Sequence, residues 1–293
     1  MVSRPPQNDR ASGSGRAGRA FLDTLERFLS TDRTADPRAA RAALLAFLRE
    51  SQAAEPSLAL VHQLSARALS VADTSVARGD SPNDLRQYVL ESCAAERRDL
   101  ELAVRDAARM AAQLISAREP WIATLSASEA VLAAIRALAD AGQKPRVILA
   151  ESRPRFEGRD AARALADANI ETWIVADAAL PLLLSQASAL WLGADAVTDA
   201  GIVNKIGSYT AALAAREHGV PTYAIAVRKK LMPSDTAALG INEMPASEIW
   251  DAAPAGVRPR NVYFEMVPSK LLRGVVVEDS VLGTTEVSVA AKD

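Results

Sequence analysis

Short apolar segments alternate with helical segments over residues 121–277, and this alternation restricts the chain to few folds. Each apolar segment is too short for an ordinary helix, and helical periodicity separates the first five. Strands that alternate with helices are typical of a mostly parallel sheet with helices on both faces. We therefore predict an α/β, Rossmann-like fold for residues 116–293. The predicted strands are 122–124, 147–150, 172–175, 189–192, 222–226 and 275–277, and the predicted helices are 128–141, 159–168, 180–187 and 207–218.

The preceding part of the chain is helical throughout. Phe21, Leu25, Phe28 and Leu29 fall on one face of a helix with 3.6 residues per turn. The same periodicity continues to residue 115, so residues 19–115 are predicted to form a helical domain. Its further helices are predicted over 40–48, 57–71, 82–92 and 94–115.

Local residue types mark helix starts and a tail. Asp36 and Ser81 each precede a proline, and a capping side chain before a proline indicates the first turn of a helix. Residues 1–18 contain little apolar surface to bury, so they are predicted to be a disordered tail. Cys93 falls in a helical stretch with no histidine near it in sequence, which favours a small core residue over a nucleophile.

Composition excludes several classes of function. The chain has 293 residues, is 49% hydrophobic and carries a formal net charge of −2, which gives no electrostatic basis for direct nucleic-acid binding. One cysteine and two histidines offer neither a disulfide framework nor a zinc site. No glycine-rich dinucleotide fingerprint follows a strand, and no apolar run is long enough for a membrane span. We expect a cytoplasmic protein without a cofactor or a bound metal.

The segment 193–209 carries the strongest functional signal. It follows the apolar strand 189–192 and contains Asp195, Asn204 and Lys205 between glycines. Ligands of α/β folds bind at the carboxyl ends of the strands, where these side chains are predicted to gather. Taken singly, Asp195 could be a helix cap and Asn204-Lys205 a solvated turn.

Two other strand ends carry polar side chains suited to a phosphate. Ser126 and Ser128 follow the first strand and, with the N-terminus of the next helix, could hold a phosphate, or they could simply cap that helix. Arg153 follows the second strand and could bind phosphate in a fork or form an ion pair with Glu151 or Glu157.

Three motifs in order resemble one family. Glu151-Ser-Arg-Pro-Arg-Phe-Glu-Gly158, Gly193-Ala-Asp195 with Asn204-Lys-Ile-Gly-Ser-Tyr209, and Asn261-Val-Tyr-Phe-Glu-Met-Val-Pro268 are similar to its signatures. The family comprises the alpha, beta and delta subunits of eukaryotic initiation factor two-B, methylthioribose-1-phosphate isomerase and ribose-1,5-bisphosphate isomerase. The resemblance covers about residues 118–285. It implies a sheet domain like those of NagB, RpiA and the CoA transferases, and pairing into a homodimer through apolar residues that include Trp173, 180–184 and Trp191.

The resemblance also implies roles for single residues. Asp195 matches the catalytic aspartate of the isomerases, and Ser126 stands where they carry the catalytic cysteine. Thr124, Ser128, Arg153, Asn204, Lys205 and Gly207 would contact the substrate, and Asp177 matches a family aspartate whose hydroxyl neighbour is missing here. A serine hydroxyl cannot readily exchange a proton near neutral pH as a thiol can.

Three functions remain open from the sequence. The first is a protein that binds a sugar phosphate or nucleoside phosphate with weakened acid–base chemistry. The second is an active aldose–ketose isomerase on a phosphorylated pentose, in which Asp195 does most of the proton transfer. The third is an assembly subunit without a ligand. The loss of the cysteine and Glu157, where the isomerases tend to carry glutamine, favour the first over the second.

Overall fold

The computed structural model describes residues 14–233 and 243–291 and begins with four helices. Asp36 caps the second helix through its side chain, and Ser81 forms a capping box with Asp84 at the start of the fourth, as predicted. The apolar faces of the four helices form one buried cluster, which includes Leu25, Leu44 and Val89. The helices are α1 (Ser14–Thr31), α2 (Pro37–Ala54), α3 (Ala59–Arg78) and α4 (Pro82–Gln113).

Two predictions for this region need correction. Residues 14–18 belong to α1 rather than to a disordered tail, because Gly18 lets the helix approach Leu60 closely. Residues 1–13 of the predicted tail lie outside the described residues. The predicted break after residue 92 is absent, and α4 runs continuously past Cys93. Cys93 is 2% exposed, and burial raises the pKa of its thiol to about 12, in keeping with a core residue.

The second part of the chain forms a seven-stranded sheet in which all six predicted strands are present. The strands are β1 (Trp121–Leu125), β2 (Arg146–Ala150), β3 (Glu171–Val175), β4 (Ala189–Leu192), β7 (Thr222–Ile225), β9 (Gly274–Val276) and β10 (Val281–Leu282). Their order in the sheet is β10-β9-β7-β4-β1-β2-β3, and every pair is parallel except β9 with β10.

Helices cover both faces of the central part of this sheet, which explains the continuous apolar runs of its central strands. The helices are α5 (Glu129–Asp140), α6 (Glu157–Ala166), α7 (Leu180–Leu183), α8 (Ser208–Glu217) and α9 (Thr284–Ala290). Ile122, Val147 and Trp191 pack on one face with α4, α5 and α6, whereas Leu125, Ile148 and Leu192 pack on the other with α7 and α8. Trp191 is fully buried.

A second, antiparallel sheet was not predicted. It consists of β5 (Ala196–Thr198), β6 (Gly201–Lys205) and β8 (Phe264–Pro268), with β6 in the centre. Asn204 and Lys205 therefore lie in a strand rather than in a solvated turn. Among the described helices, none is long and apolar enough to cross a membrane.

Candidate functional site

Polar residues follow four neighbouring strands of the large sheet, as the strand pattern predicts. Ser126 follows β1, Arg153 follows β2, Asp177 follows β3 and Asp195 follows β4, and these strands are adjacent in the order β4-β1-β2-β3. Parallel strands bring their carboxyl ends to one edge of the sheet, so these residues share that edge.

A cavity of about 520 Å³ lies between this edge and the N-terminal helices. This volume is within the usual range for small-molecule sites. Its apolar wall comes from helices α1, α3 and α4, with Phe21, Leu60 and Val104 among the lining residues. Five of the residues proposed from the sequence line it: Ser126, Ser128, Asp195, Asn204 and Lys205.

Lys205 and Glu157 form a buried ion pair in the cavity wall. The ammonium donates to Oε1 of Glu157, and the two side chains are only 5% and 4% exposed. The Lys205 ammonium also lies 4.7 Å from the centre of the Tyr263 ring. Burial raises the pKa of the Glu157 carboxyl, and the neighbouring Lys205 charge opposes that rise. Oε2 of Glu157 has no hydrogen-bond partner within the described residues.

Asp195 and Asn204 are held in the wall by the small sheet. The Asp195 amide donates to the Val203 carbonyl at 2.8 Å, and the Asp195 side chain is buried. Asn204 Nδ2 donates to Ser208 Oγ at 2.8 Å, and that hydroxyl donates in turn to the Lys205 carbonyl at 2.6 Å. Their geometry is thus set by hydrogen bonds within the protein.

Lys230 is a lining residue that was not proposed from the sequence. It is 6% exposed, and its ammonium donates to the Ala194 carbonyl at 2.7 Å. Burial lowers the pKa of Lys230, while the charges of Asp195 and Glu129 oppose the fall. In the sequence, Arg228-Lys229-Lys230 resembles a charged segment exposed to solvent. The one sequence signal that Lys230 could be buried is the position of this segment directly after β7.

A chain of hydrogen bonds positions Ser126. Its amide donates to Ser152 Oγ at 2.7 Å, and the amides of Ser152 and Arg153 each donate to the Asp177 carboxylate at 2.7 Å. Ser126 and Ser152 both have positive φ angles, of 64° and 65°. Asp177 therefore supports the loop behind the cavity rather than lining it. Ser128 is the N-cap residue of α5 but makes no side-chain capping bond.

Three proposed contact residues do not line the cavity in the described part of the chain: Thr124, Arg153 and Gly207. Arg153 is exposed, and its guanidinium carbon lies 5.0 Å from the Phe156 ring centre. It forms an ion pair with neither Glu151 nor Glu157. Glu151 is paired with Arg159 instead, and Glu157 with Lys205. Thr124 is buried within β1, and Gly207 has φ of 99° where α8 begins.

Acidic residues outnumber basic ones in the lining. Within the described residues, three basic residues, Arg19, Lys205 and Lys230, face six acidic ones, Glu50, Glu55, Glu129, Glu157, Asp195 and Glu243. Two of the basic residues are paired, because Arg19 contacts Glu129 at 2.8 Å and Lys205 contacts Glu157. Glu243 is also paired, with Arg260, which is not among the lining residues.

A second network fixes the side of the cavity near Tyr263. The Tyr263 hydroxyl donates to Glu248, whose carboxylate also accepts from Asn261 Nδ2 and Arg155, each at 2.9 Å. Burial raises the pKa of Glu248, but hydrogen bonds from Tyr263, Arg155 and Asn261 outweigh burial and leave it below its usual value. The network holds the Tyr263 ring beside Lys205.

Comparisons with known proteins bear out the family resemblance. An eIF-2B subunit 2-like protein of Pyrococcus horikoshii is 34% identical over 255 residues, which cover 86% of each chain. The ribose 1,5-bisphosphate isomerase of Archaeoglobus fulgidus is 31% identical over 156 residues, 52% of this chain and 50% of that protein.

Solved structures show the same fold. The crystal structure of the Pyrococcus horikoshii translation initiation factor eIF-2B superimposes with a TM-score of 0.78 at 27% identity and covers 94% of this chain and 93% of that one. The 5-methylthioribose 1-phosphate isomerase of the same organism superimposes with a TM-score of 0.69 at 19% identity, over 97% of this chain and 84% of that one. The sequence profile of the Initiation factor 2 subunit family matches residues 10–292. This chain belongs to that family.

Proposed function

We propose that the cavity binds a phosphorylated pentose or a nucleoside phosphate and that the protein isomerises such ligands slowly or not at all. The observation that supports this function most directly is the convergence of Ser126, Ser128, Asp195, Asn204 and Lys205 on one cavity of about 520 Å³. Relatives of this chain include isomerases named for ribose 1,5-bisphosphate and methylthioribose 1-phosphate.

The phosphate is best accommodated at the start of α5. Ser128 and the first residues of α5 line the cavity, and the Ser128 hydroxyl makes no capping bond. Amides at a helix N-terminus attract a phosphate, and the Ser126 and Ser128 hydroxyls can donate further hydrogen bonds. Lys205 is less suitable than the sequence suggested, because Glu157 already neutralises its charge.

Ligand binding can be tested by thermal denaturation with methylthioribose 1-phosphate, ribose 1,5-bisphosphate and AMP. A ligand at one hundred times its dissociation constant stabilises the folded state by about 2.7 kcal/mol, so a rise in Tm is expected with at least one of them. Asp195→Asn, inside the cavity, should reduce the rise, whereas Arg153→Ala, outside it, should not. Absence of any rise would leave the assembly subunit as the function.

Isomerase activity is the second candidate, favoured by the buried Asp195 in the cavity wall. We expect little turnover of either sugar phosphate by the wild-type protein, because general acid–base catalysis contributes about 10²–10⁴-fold and Ser126 cannot supply a thiol. Ser126→Cys should restore part of the turnover. Robust wild-type turnover that disappears in Asp195→Asn would show that the protein is an enzyme.

We also propose a homodimer. Trp173 and Leu182, in the sheet part of the chain, are 41% and 76% exposed. A second copy of the chain would bury these apolar side chains. Closed twofold pairing is also the commonest oligomeric state. Trp191, Leu180 and Leu184 belong to the core instead. Light scattering should give twice the monomer mass for the wild type, and a monomer mass would refute the pairing.

A further inference from the structure

The three basic residues after β7 connect separate parts of the molecule. Arg228, Lys229 and Lys230 form a single turn of 3-10 helix, which we call the basic turn. The Lys229 ammonium donates to Glu96 on α4, in the helical region. The Lys230 ammonium donates to the Ala194 carbonyl, after β4, at 2.7 Å. The basic turn is therefore a junction between the N-terminal helices and the cavity edge of the large sheet.

The carboxylate of Glu278 fixes the first residue of the basic turn. The Arg228 amide donates to both oxygens of Glu278, at 3.1 and 3.0 Å, and this half-buried side chain follows β9. A carboxylate that accepts from a backbone amide makes a charge-assisted hydrogen bond, which is among the stronger ones in proteins. The Arg228 guanidinium pairs instead with the exposed Asp279, at 2.6 Å. Glu278 thus binds the backbone of the turn rather than a side chain.

Glu278, the basic turn and Asp195 lie along one edge of the large sheet. They follow β9, β7 and β4, which are adjacent and parallel, so their carboxyl ends meet at that edge. Hydrogen bonds link Glu278 to Arg228, and Lys230 of the same turn to Ala194, the residue before Asp195. Burial lowers the pKa of Lys230 and the charge of Asp195 opposes the fall, so the two charged groups also interact directly.

Residues 193–195 in turn hold two walls of the cavity together. The Asp195 amide donates to the Val203 carbonyl on β6 at 2.8 Å, and the Asp195 carbonyl accepts from the Ala59 amide, where α3 begins, at 3.1 Å. A displacement of these residues would disturb the small sheet and the helical wall at once.

We infer that Glu278 is a positioning residue of the cavity: it fixes the basic turn through a backbone amide, and Lys230 then fixes residues 193–195. Within residues 14–233 and 243–291, Glu278 is not one of the residues that line the cavity, so it acts on a ligand through these contacts. The consequence for binding rests on the proposed function, whereas the effect on residues 193–195 does not.

Hydrogen exchange measured by mass spectrometry tests these contacts without a ligand. The readout is the exchange rate of residues 193–198 relative to residues 147–150 in β2, a ratio that removes a general loss of stability. In Glu278→Ala this ratio should rise at least about threefold, because local opening around Asp195 then needs less free energy. Glu278→Gln keeps an acceptor oxygen for the Arg228 amide, so it should restore the ratio to within about twofold of the wild type.

Three further variants make the assignment specific. Asp279→Ala removes the partner of the Arg228 side chain but leaves the bond from the amide to Glu278, so the ratio should stay within about twofold of the wild type. Lys230→Met breaks the contact with Ala194 and should raise the ratio as Glu278→Ala does. Glu278→Ala/Lys230→Met should exceed Lys230→Met by less than about twofold, because substitutions along one chain of contacts are not additive.

Ligand affinity provides a second measurement, by calorimetric titration. The probe is whichever of methylthioribose 1-phosphate, ribose 1,5-bisphosphate and AMP raises the Tm of the wild type. Glu278→Ala should bind it at least about fivefold more weakly, since substitutions that act through a network of contacts have effects of this size. Glu278→Gln and Asp279→Ala should bind it within about twofold of the wild type.

The outcomes separate this inference from the proposed function. An unchanged exchange ratio in Glu278→Ala and Lys230→Met, additive effects in the double variant, or unchanged affinity in Glu278→Ala would overturn the positioning role and leave ligand binding intact. If Glu278→Ala does not fold, an unchanged ratio in Lys230→Met overturns the role by itself. If none of the three compounds binds the wild type, the proposed function fails, and the exchange ratio still decides the role of Glu278.

Discussion

Replacement of Lys205 by methionine is the most direct test of the buried pair. Lys205→Met keeps much of the side-chain volume but leaves the Glu157 carboxylate without its ion-pair partner in a site where both side chains are 5% exposed or less. Removal of one partner from a buried ion pair typically costs about 3–5 kcal/mol, because the remaining charge is neither solvated nor paired. We expect a loss of this size in the free energy of unfolding at pH 7.

Three variants complete the measurement by urea denaturation followed by far-UV circular dichroism. Lys205→Met, Glu157→Gln and the double variant form a cycle with the wild type. The double variant should recover most of the stability lost in Lys205→Met, because neutral replacement of a whole buried pair is often tolerated. The m-value, the slope of the free energy of unfolding against urea concentration, should be the same in the wild type and the three variants. A constant m-value would show that the substitutions change stability rather than the compactness of either state.

The loss should depend on pH in a defined direction. Burial already raises the pKa of Glu157 above its usual 4.5, and Lys205→Met removes the charge that opposes this rise. A carboxyl with a raised folded-state pKa favours the folded protein at low pH, where the carboxyl is protonated. The free energy of unfolding of Lys205→Met should therefore equal that of the double variant below about pH 4. It should fall below that of the double variant as pH rises through the folded-state pKa of Glu157. A Lys205→Met variant within about 1 kcal/mol of the wild type at pH 7 would refute the buried-pair argument.

Three further predictions concern residues around the cavity. Arg153→Ala should change ligand affinity by less than about twofold, in contrast to Asp195→Asn, because exposed side chains away from a site have small effects; a large loss in calorimetry would place Arg153 in the site after all. Gly158→Ala should destabilise the protein by about 1–3 kcal/mol in urea unfolding, because the added Cβ would overlap the Ala150 carbonyl. Gly283→Ala is the control and should cost less, because its added Cβ would lie 3.5 Å from the nearest atom, Oε2 of Glu286. Glu248→Gln should lower stability most at about pH 7 and progressively less as pH falls through the folded-state pKa of Glu248, because a depressed folded-state pKa contributes stability that is lost as pH falls; a loss that did not depend on pH would contradict this.

The large sheet could be predicted because its central strands are buried on both faces. Runs such as 147–150 and 189–192 are apolar at every position, and the helices between them have clear periodicity. The hairpin of β5 and β6 could not be predicted in the same way, because its residues include Asp199, Asn204 and Lys205, which resemble a loop. Pairing with β8, distant in sequence, satisfies the other edge of β6.

The candidate site was predictable where a side chain follows a strand and unpredictable where tertiary packing decides. Asp195 and Ser126, which the sequence places after β4 and β1, both line the cavity. Arg153 occupies an equivalent position after β2 but lies outside the cavity, since its backbone is tied to Asp177. Lys230 was missed because no local pattern distinguishes a buried lysine from a solvated one. Charge neutralisation of Lys205 by Glu157 likewise depends on a contact between distant parts of the chain.

The central place of β6 in the small sheet has a consequence for the order in which the molecule is built during synthesis. β6 carries Asn204 and Lys205, and its outer partner β8 (Phe264–Pro268) leaves the ribosome only after the whole N-terminal helical region and most of the large sheet. Until β8 docks, one edge of β6 lacks its hydrogen-bonding partner, and only the hairpin with β5 on the other edge holds its register. We expect a nascent chain released before residue 264 to contain folded helices but no organised cavity. Assembly of the cavity would then be among the last steps of folding, after synthesis has passed this strand.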